Sequence, residues 1–98
     1  MNIKKQEGKY WLVNDNVYEL HFAHSNEDRI ILKFIKDVHD PKTYIYVSKF
    51  LKVEYDEIIS DSAEDIKKQL EYIVMERIEN KISYYEDMLE KFQEESYE

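Results

Sequence analysis

Histidine and acidic side chains are the residues of this chain that could bind a metal ion, and the histidines lie at positions 21, 24 and 39. His21 and His24 are an odd number of residues apart, so on a strand they point to opposite faces and form no metal-binding pair. His24 meets His39 only if two turns lie at the same end of a sheet, where a neighbouring aspartate would complete a zinc site. Loop His and Asp are ordinarily solvated. We therefore expect the run DVHDP, residues 37–41, to supply turn chemistry, with no metal or other cofactor bound.

Groups used in catalysis are present but follow no catalytic pattern. Ser48 and Ser62 lack the glycine-flanked turn that exposes a nucleophilic serine, and one glycine in 98 residues leaves no loop that cradles a phosphate. Acid–base catalysis requires a carboxylate or histidine with a shifted pKa in a cleft, and 22 Asp and Glu give no reason to select one. We expect a protein that is not an enzyme.

Nine tyrosines offer another chemistry, the stacking of nucleobases. RNA-binding sheets place aromatic side chains beside lysines on an open face. The stretch YIYVSKFLK interleaves the two residue types but lacks the glycine-bearing signature of the common RNA-recognition sheet. The alternative function is therefore a nucleic-acid-binding module that uses a sheet face bearing Tyr18, Tyr44, Tyr46, Lys33, Lys49 and Lys52.

Charge is divided unevenly along the chain. Residues 1–53 hold nine Lys and Arg against seven Asp and Glu, whereas residues 54–98 hold five against fifteen, a net charge of −10. Binding to phosphates requires a basic surface. The acidic half therefore favours a protein partner with a basic surface over nucleic acid.

The acidic half ends in ENKISYYEDMLEKFQEE, residues 79–95, whose carboxylates are candidate contacts for such a partner. A row of glutamates spaced four residues apart is mildly destabilising on a helix that has no partner. Acidic helices of this kind predict partial mimicry of DNA, as in small inhibitors of restriction and CRISPR enzymes carried by phages or mobile elements. The mimicry is partial because residues 62–95 carry one net charge per about 10 Å, against one per about 1.7 Å of duplex. The predicted contacts are Glu79, Glu86, Asp87, Glu90 and Glu94.

Strand patterns that would position these groups occupy residues from about 10 to 55. Turn-forming residues at 14–16 and 25–28 separate segments in which apolar and polar residues alternate. Residues 29–36 are apolar on both faces and predict a central strand, and residues 43–55 are long enough to require a bulge or bend. Local turns between successive strands predict an antiparallel meander of three to four strands.

A helix pattern follows from about residue 62 to 95, beginning at a capping box of Ser62 and Asp65. A continuous helix of this length is roughly 50 Å long, and a typical strand spans only about 17–20 Å. Either the helix breaks near Asn80 into a hairpin, or its second half contacts another chain. Apolar residues at heptad spacing predict a seam for a homodimer or another protein partner: Met75, Ile78, Ile82, Tyr85, Leu89 and Phe92.

The chain as a whole is expected to be one α+β domain, 1–98, with a β-sheet part at 1–59 and an acidic helical part at 60–98. It contains no cysteine, which suits a reducing compartment. No apolar run resembles a signal peptide or a membrane span. The expected location is therefore the cytoplasm.

Overall fold

The computed structural model describes residues 7–95, which form an antiparallel sheet and one helix. The strands lie in the sheet in chain order, so the topology is a meander. The predicted α+β class, meander and long C-terminal helix are confirmed. Two compact units result, the first ending at Ile66 and the second beginning at Lys67. The elements are β1 (Gly8–Asn14), β2 (Val17–His24), β3 (Glu27–Lys36), β4 (Thr43–Ser48), β5 (Val53–Ile59) and α1 (Ala63–Glu95).

The first two turns are short because their residues tolerate left-handed backbone. Asp15 and Asn16 have φ angles of +49° and +69°, as a type I′ hairpin turn requires, and they join β1 to β2. Ser25 has a φ of +57° in the two-residue turn that follows β2. The turns expected at these places are confirmed.

The sheet has five strands rather than three or four, because residues 43–55 contain a turn instead of a single bent strand. Lys52 closes this turn with a φ of +61°, and its N–H donates to the carbonyl of Lys49 at 3.2 Å. The buried Ser48 hydroxyl donates to the carbonyl of Ile31 at 2.7 Å and accepts the Leu51 N–H at 2.9 Å. KFLK has no Gly, Pro, Asn or Asp, so the usual turn signals are missing.

One face of the sheet carries most of the core. Leu20 pairs with Leu32, and Tyr18 and Tyr46 both pair with Phe34. The pairing of β2 with β3 shifts after Leu20, so that one residue of β3, Ile31, is extra. This bulge supplies the carbonyl that Ser48 binds. The buried side chains of the sheet unit include Leu20, Leu32, Phe34, Tyr44, Tyr46, Leu51 and Ile66.

The helix begins at the predicted cap and continues without a break, so a hairpin near Asn80 is not formed. The N–H of Asp65 donates to the Ser62 hydroxyl at 3.2 Å. The return contact of the capping box runs through Ser60, whose hydroxyl donates to Asp65 at 2.6 Å and accepts the Ser62 N–H at 3.3 Å. An aspartate is one methylene shorter than the usual glutamate, and the serine bridges the gap. Across residues 7–95, no helix has the length and apolar character needed to span a bilayer.

Replacing Ser48 by alanine tests whether its hydroxyl holds the β4–β5 turn. Ser48→Ala leaves a buried carbonyl and a buried N–H without this partner, and we expect a loss of about 1–3 kcal/mol in the free energy of unfolding. Urea denaturation followed by circular dichroism measures it. Ser83→Ala, on an exposed part of α1, is the control and should change stability by less than about 0.5 kcal/mol. Equal stability of both variants would contradict this role.

Candidate interaction surface

The predicted apolar seam lies on one side of α1 and is open to solvent. Its six side chains range from 42% exposed at Ile78 to 66% exposed at Phe92. Contiguous apolar surface of this kind is unusual in a monomeric protein and is typical of interaction sites. The structure thus places all six predicted seam residues together: Met75, Ile78, Ile82, Tyr85, Leu89 and Phe92.

The five predicted acidic contacts are all exposed but do not form one surface. Successive residues of a helix are about 100° apart around its axis. Glu79 and Glu86 therefore border one edge of the seam, and Glu90 lies further round on the same side. Asp87 and Glu94 lie on the opposite side of the helix. A partner on the seam can meet two of these carboxylates, and the other three face outward.

The other edge of the seam carries residues that the sequence reasoning did not select. Lys81 and Met88 occupy this edge, with Tyr84 and Lys91 beyond them. A shallow groove of about 400 Å³ runs here between Tyr84, Met88 and Phe92. The heptad position of Lys81 and Met88 was the available signal, because each directly precedes Ile82 or Leu89, and residues at this position of a heptad lie at the edge of the seam. The seam therefore has one acidic edge and one basic and apolar edge.

The glutamate row of α1, Glu86, Glu90 and Glu94, has no basic counterpart among the residues that the structure describes. Within residues 7–95, Glu86, Glu90 and Glu94 make no ion pair. The last turn of the helix also contains no basic residue. Negative charge at this end opposes the helix dipole, which favours cations there. A basic group on another molecule would relieve both effects.

The lysines and tyrosines of the alternative nucleic-acid site lie apart. Lys33, Lys49 and Lys52 line one open concavity of about 690 Å³ on the sheet. Tyr44 and Tyr46 are only 5% and 6% exposed, and the Tyr18 ring stacks on Phe34 with centroids 4.6 Å apart. The condition for base stacking, an exposed tyrosine face, is not met at Tyr44 and Tyr46.

A polar cluster that the sequence reasoning missed links the first three strands around His21. The His21 side chain is 10% exposed, with Nε2 2.9 Å from Glu19 Oε1 and Nδ1 3.1 Å from Asp28 Oδ1. The ring of Tyr10 stacks on His21 at 5.0 Å, and the Tyr10 hydroxyl donates to Asp28. Lys33 Nζ lies 3.9 Å from Glu19. His21 faces away from the core because it follows the core residue Leu20 directly on β2.

Contacts within the cluster shift the pKa values of His21, Asp28 and Tyr10 so that the protonation states that form these contacts are favoured. Burial lowers the pKa of His21, but the hydrogen bonds and charges of Glu19 and Asp28 outweigh burial and raise it above the ordinary value. The hydrogen bond from Tyr10 lowers the pKa of Asp28, helped by His21. The same bond raises the pKa of Tyr10, because loss of the hydroxyl proton would remove the donor and place a second negative charge beside Asp28. We interpret the cluster as a link between strands.

The other two histidines, His24 and His39, contact groups other than those of the zinc site considered from the sequence. His24 stacks on Phe22, with ring centroids 6.3 Å apart. The N–H of His39 donates to Asp37 in a local turn, and Asp40 accepts from the Lys42 N–H and the Thr43 hydroxyl. The backbone hydrogen bond from Lys42 lowers the pKa of Asp40. The expected turn chemistry of DVHDP is confirmed by these hydrogen bonds. Among residues 7–95, no three His, Cys, Asp or Glu side chains are arranged so that they could hold a metal ion.

Comparison with known proteins adds no assignment, since no protein-family model, curated protein or solved structure matches this chain.

The His21 cluster predicts a specific dependence of stability on pH. Folding raises the pKa of His21, so protonated His21 stabilises the folded state. This stabilisation is complete at pH values below the pKa of histidine in the unfolded chain, 6.5, and is lost as the pH rises through the higher pKa of the folded protein. Wild type should therefore exceed His21→Gln in stability most at acidic pH, and the difference should shrink toward pH 8. Urea denaturation between about pH 5 and pH 8 measures it.

The matched control is His24→Gln, which removes an imidazole outside the cluster. A difference between wild type and His21→Gln that stays constant over this pH range would contradict the assigned role of the two carboxylates.

Proposed function

We propose that this protein is a non-catalytic protein-binding module whose contact surface is the second half of α1. The observation that carries the proposal is the continuous row of six exposed apolar side chains from Met75 to Phe92. At 1.5 Å per residue the row is about 26 Å long. An amphipathic helix that presents its apolar face to another protein is a common recognition mode.

Charge indicates what kind of protein it binds. Residues 79–95 contain six Asp and Glu and two Lys, a net charge of −4. The acidic last turn of the helix adds to this negative end. A partner with a basic surface complements both, and basic grooves are the surfaces that nucleic-acid-handling enzymes present to phosphates. The sharper form of the proposal is a small cytoplasmic inhibitor or regulator of such an enzyme, by partial DNA mimicry.

Capture from a cell lysate followed by competition with duplex DNA tests the sharper form. A partner held through a DNA-binding groove should be released by added duplex, because both ligands occupy the same basic surface. A captured protein that duplex DNA does not displace would contradict DNA mimicry. If the wild-type protein itself binds free single-stranded DNA or RNA, the nucleic-acid-binding alternative replaces this proposal.

Charge reversal on the outer side of α1 predicts slower association with the captured partner. Asp87→Lys with Glu90→Lys and Glu94→Lys reverses three carboxylates while keeping Glu86, which borders the seam. Charge complementarity acts mainly on the rate of encounter and is screened within about 8 Å at physiological salt. We expect the on-rate to fall at least about tenfold at low salt and its salt dependence to invert. Stopped-flow or surface kinetics at two salt concentrations measure this.

The matched control reverses Glu27, Glu54 and Glu57, which are exposed on the sheet unit. It changes the net charge of the protein by the same amount. Equal on-rates for the two triple variants would show that only total charge matters and would contradict a contact through α1.

A further inference from the structure

The two edges of the apolar seam complement each other in charge, and this complementarity identifies an occupant. In heptad notation Met75, Ile82 and Leu89 are a positions, and Ile78, Tyr85 and Phe92 are d positions. Glu79 and Glu86 then occupy e positions, and Lys81 and Met88 occupy g positions. In a parallel pair of helices, each g residue faces the e residue five positions later on the other chain.

We propose that the seam is the interface of a parallel two-stranded coiled coil between two copies of this chain, in which Lys81 of each copy pairs with Glu86 of the other. The proposal rests on the proposed function, since it keeps the second half of α1 as the contact surface. A second copy covers the apolar seam, and the outer carboxylates of both copies face the basic partner. Within residues 7–95 of one copy, neither Lys81 nor Glu86 forms an ion pair. Two copies supply each with a partner.

The parallel orientation follows from both the edges and the core of the seam. An antiparallel pair brings e positions opposite e positions, which places the acidic edge with Glu79 and Glu86 against itself. A parallel pair in register also matches like layers. Its a layers are aliphatic throughout, and two of its d layers place Tyr85 against Tyr85 and Phe92 against Phe92. Aromatic pairs contribute beyond the area that they bury.

The coiled coil would strengthen the acidic surface that a foreign partner meets. Residues 79–95 of two copies carry a net charge of −8 over about 25 Å, or one charge per about 3 Å. Duplex DNA carries one per about 1.7 Å, so pairing brings the helix much closer to the charge density of DNA. Asp87, Glu90 and Glu94 lie away from the seam and remain available in the pair.

Single cysteines test the orientation directly, because the natural chain contains none. A disulfide requires Cα atoms within about 7 Å of each other. In a parallel pair, Met75→Cys should link to itself and Phe92→Cys should link to itself under mild oxidation. In a centred antiparallel pair, only a mixture of the two variants should link efficiently. Mass spectrometry of the oxidised proteins distinguishes the two products.

Charge exchange at the edge of the seam tests the residue pair. Glu86→Lys replaces two attractive contacts per dimer with two repulsive ones, and the dimer dissociation constant should rise roughly tenfold. Lys81→Glu should weaken the dimer similarly, and the double variant should restore most of the affinity. Glu90→Lys, which changes the charge equally on the outer side, is the control and should have a much smaller effect.

Self-linking of both cysteine variants, together with rescue in the double charge variant, supports the proposal. Preferential linking of residue 75 to residue 92, or no rescue, overturns it. If no linked product forms, pairing between copies is contradicted. The proposed function is then tested separately, by capture of a foreign protein. If wild type still captures a foreign protein and the double variant Ile82→Asp with Leu89→Asp does not, the proposed function is supported. If the double variant captures the foreign protein as well as wild type does, the proposed function is contradicted.

Discussion

Six large apolar side chains along α1 are exposed to water, and their exposure favours association with another chain. Each such side chain gains about 1.5–3 kcal/mol when it is fully buried. Two copies contribute twelve such side chains, and burying half of each stabilises the dimer by on the order of 10 kcal/mol. The loss of translational and rotational freedom on association costs a similar amount, about 4–15 kcal/mol. The apolar seam alone brings association close to balance. The charges along its edges then decide which partner is preferred and in which orientation.

The sheet unit shows how local polar contacts replace the usual turn residues. The β4–β5 turn has no glycine or proline, and the Ser48 hydroxyl joins its amide to the carbonyl of the β3 bulge. The same bulge accompanies the shift in pairing after Leu20, next to His21. His21 then joins Glu19 and Asp28, so charge and hydrogen bonding connect neighbouring strands outside the apolar core.

Elements with strong local signals could be predicted from the sequence. The Asp15–Asn16 turn, the Ser62 cap and the heptad spacing of the seam each rest on residues close together in the chain. The β4–β5 turn and the His21 cluster could not be predicted, because they depend on contacts between residues distant in sequence. Ser48 reaches Ile31, and Tyr10 reaches Asp28. The asymmetry of the seam edges was missed for another reason, since counting carboxylates along α1 does not separate those beside the seam from those behind it.

Sedimentation equilibrium of the wild-type protein from about 1 to about 100 µM is the most direct test of the claim that the seam of α1 is covered by a second copy. The protomer has a mass of 12.0 kDa. Pairing of two copies predicts a mass that rises with concentration toward twice this value, and that stays at 12.0 kDa when Ile82 and Leu89 are both replaced by aspartate. A wild-type mass of 12.0 kDa at every concentration would contradict it.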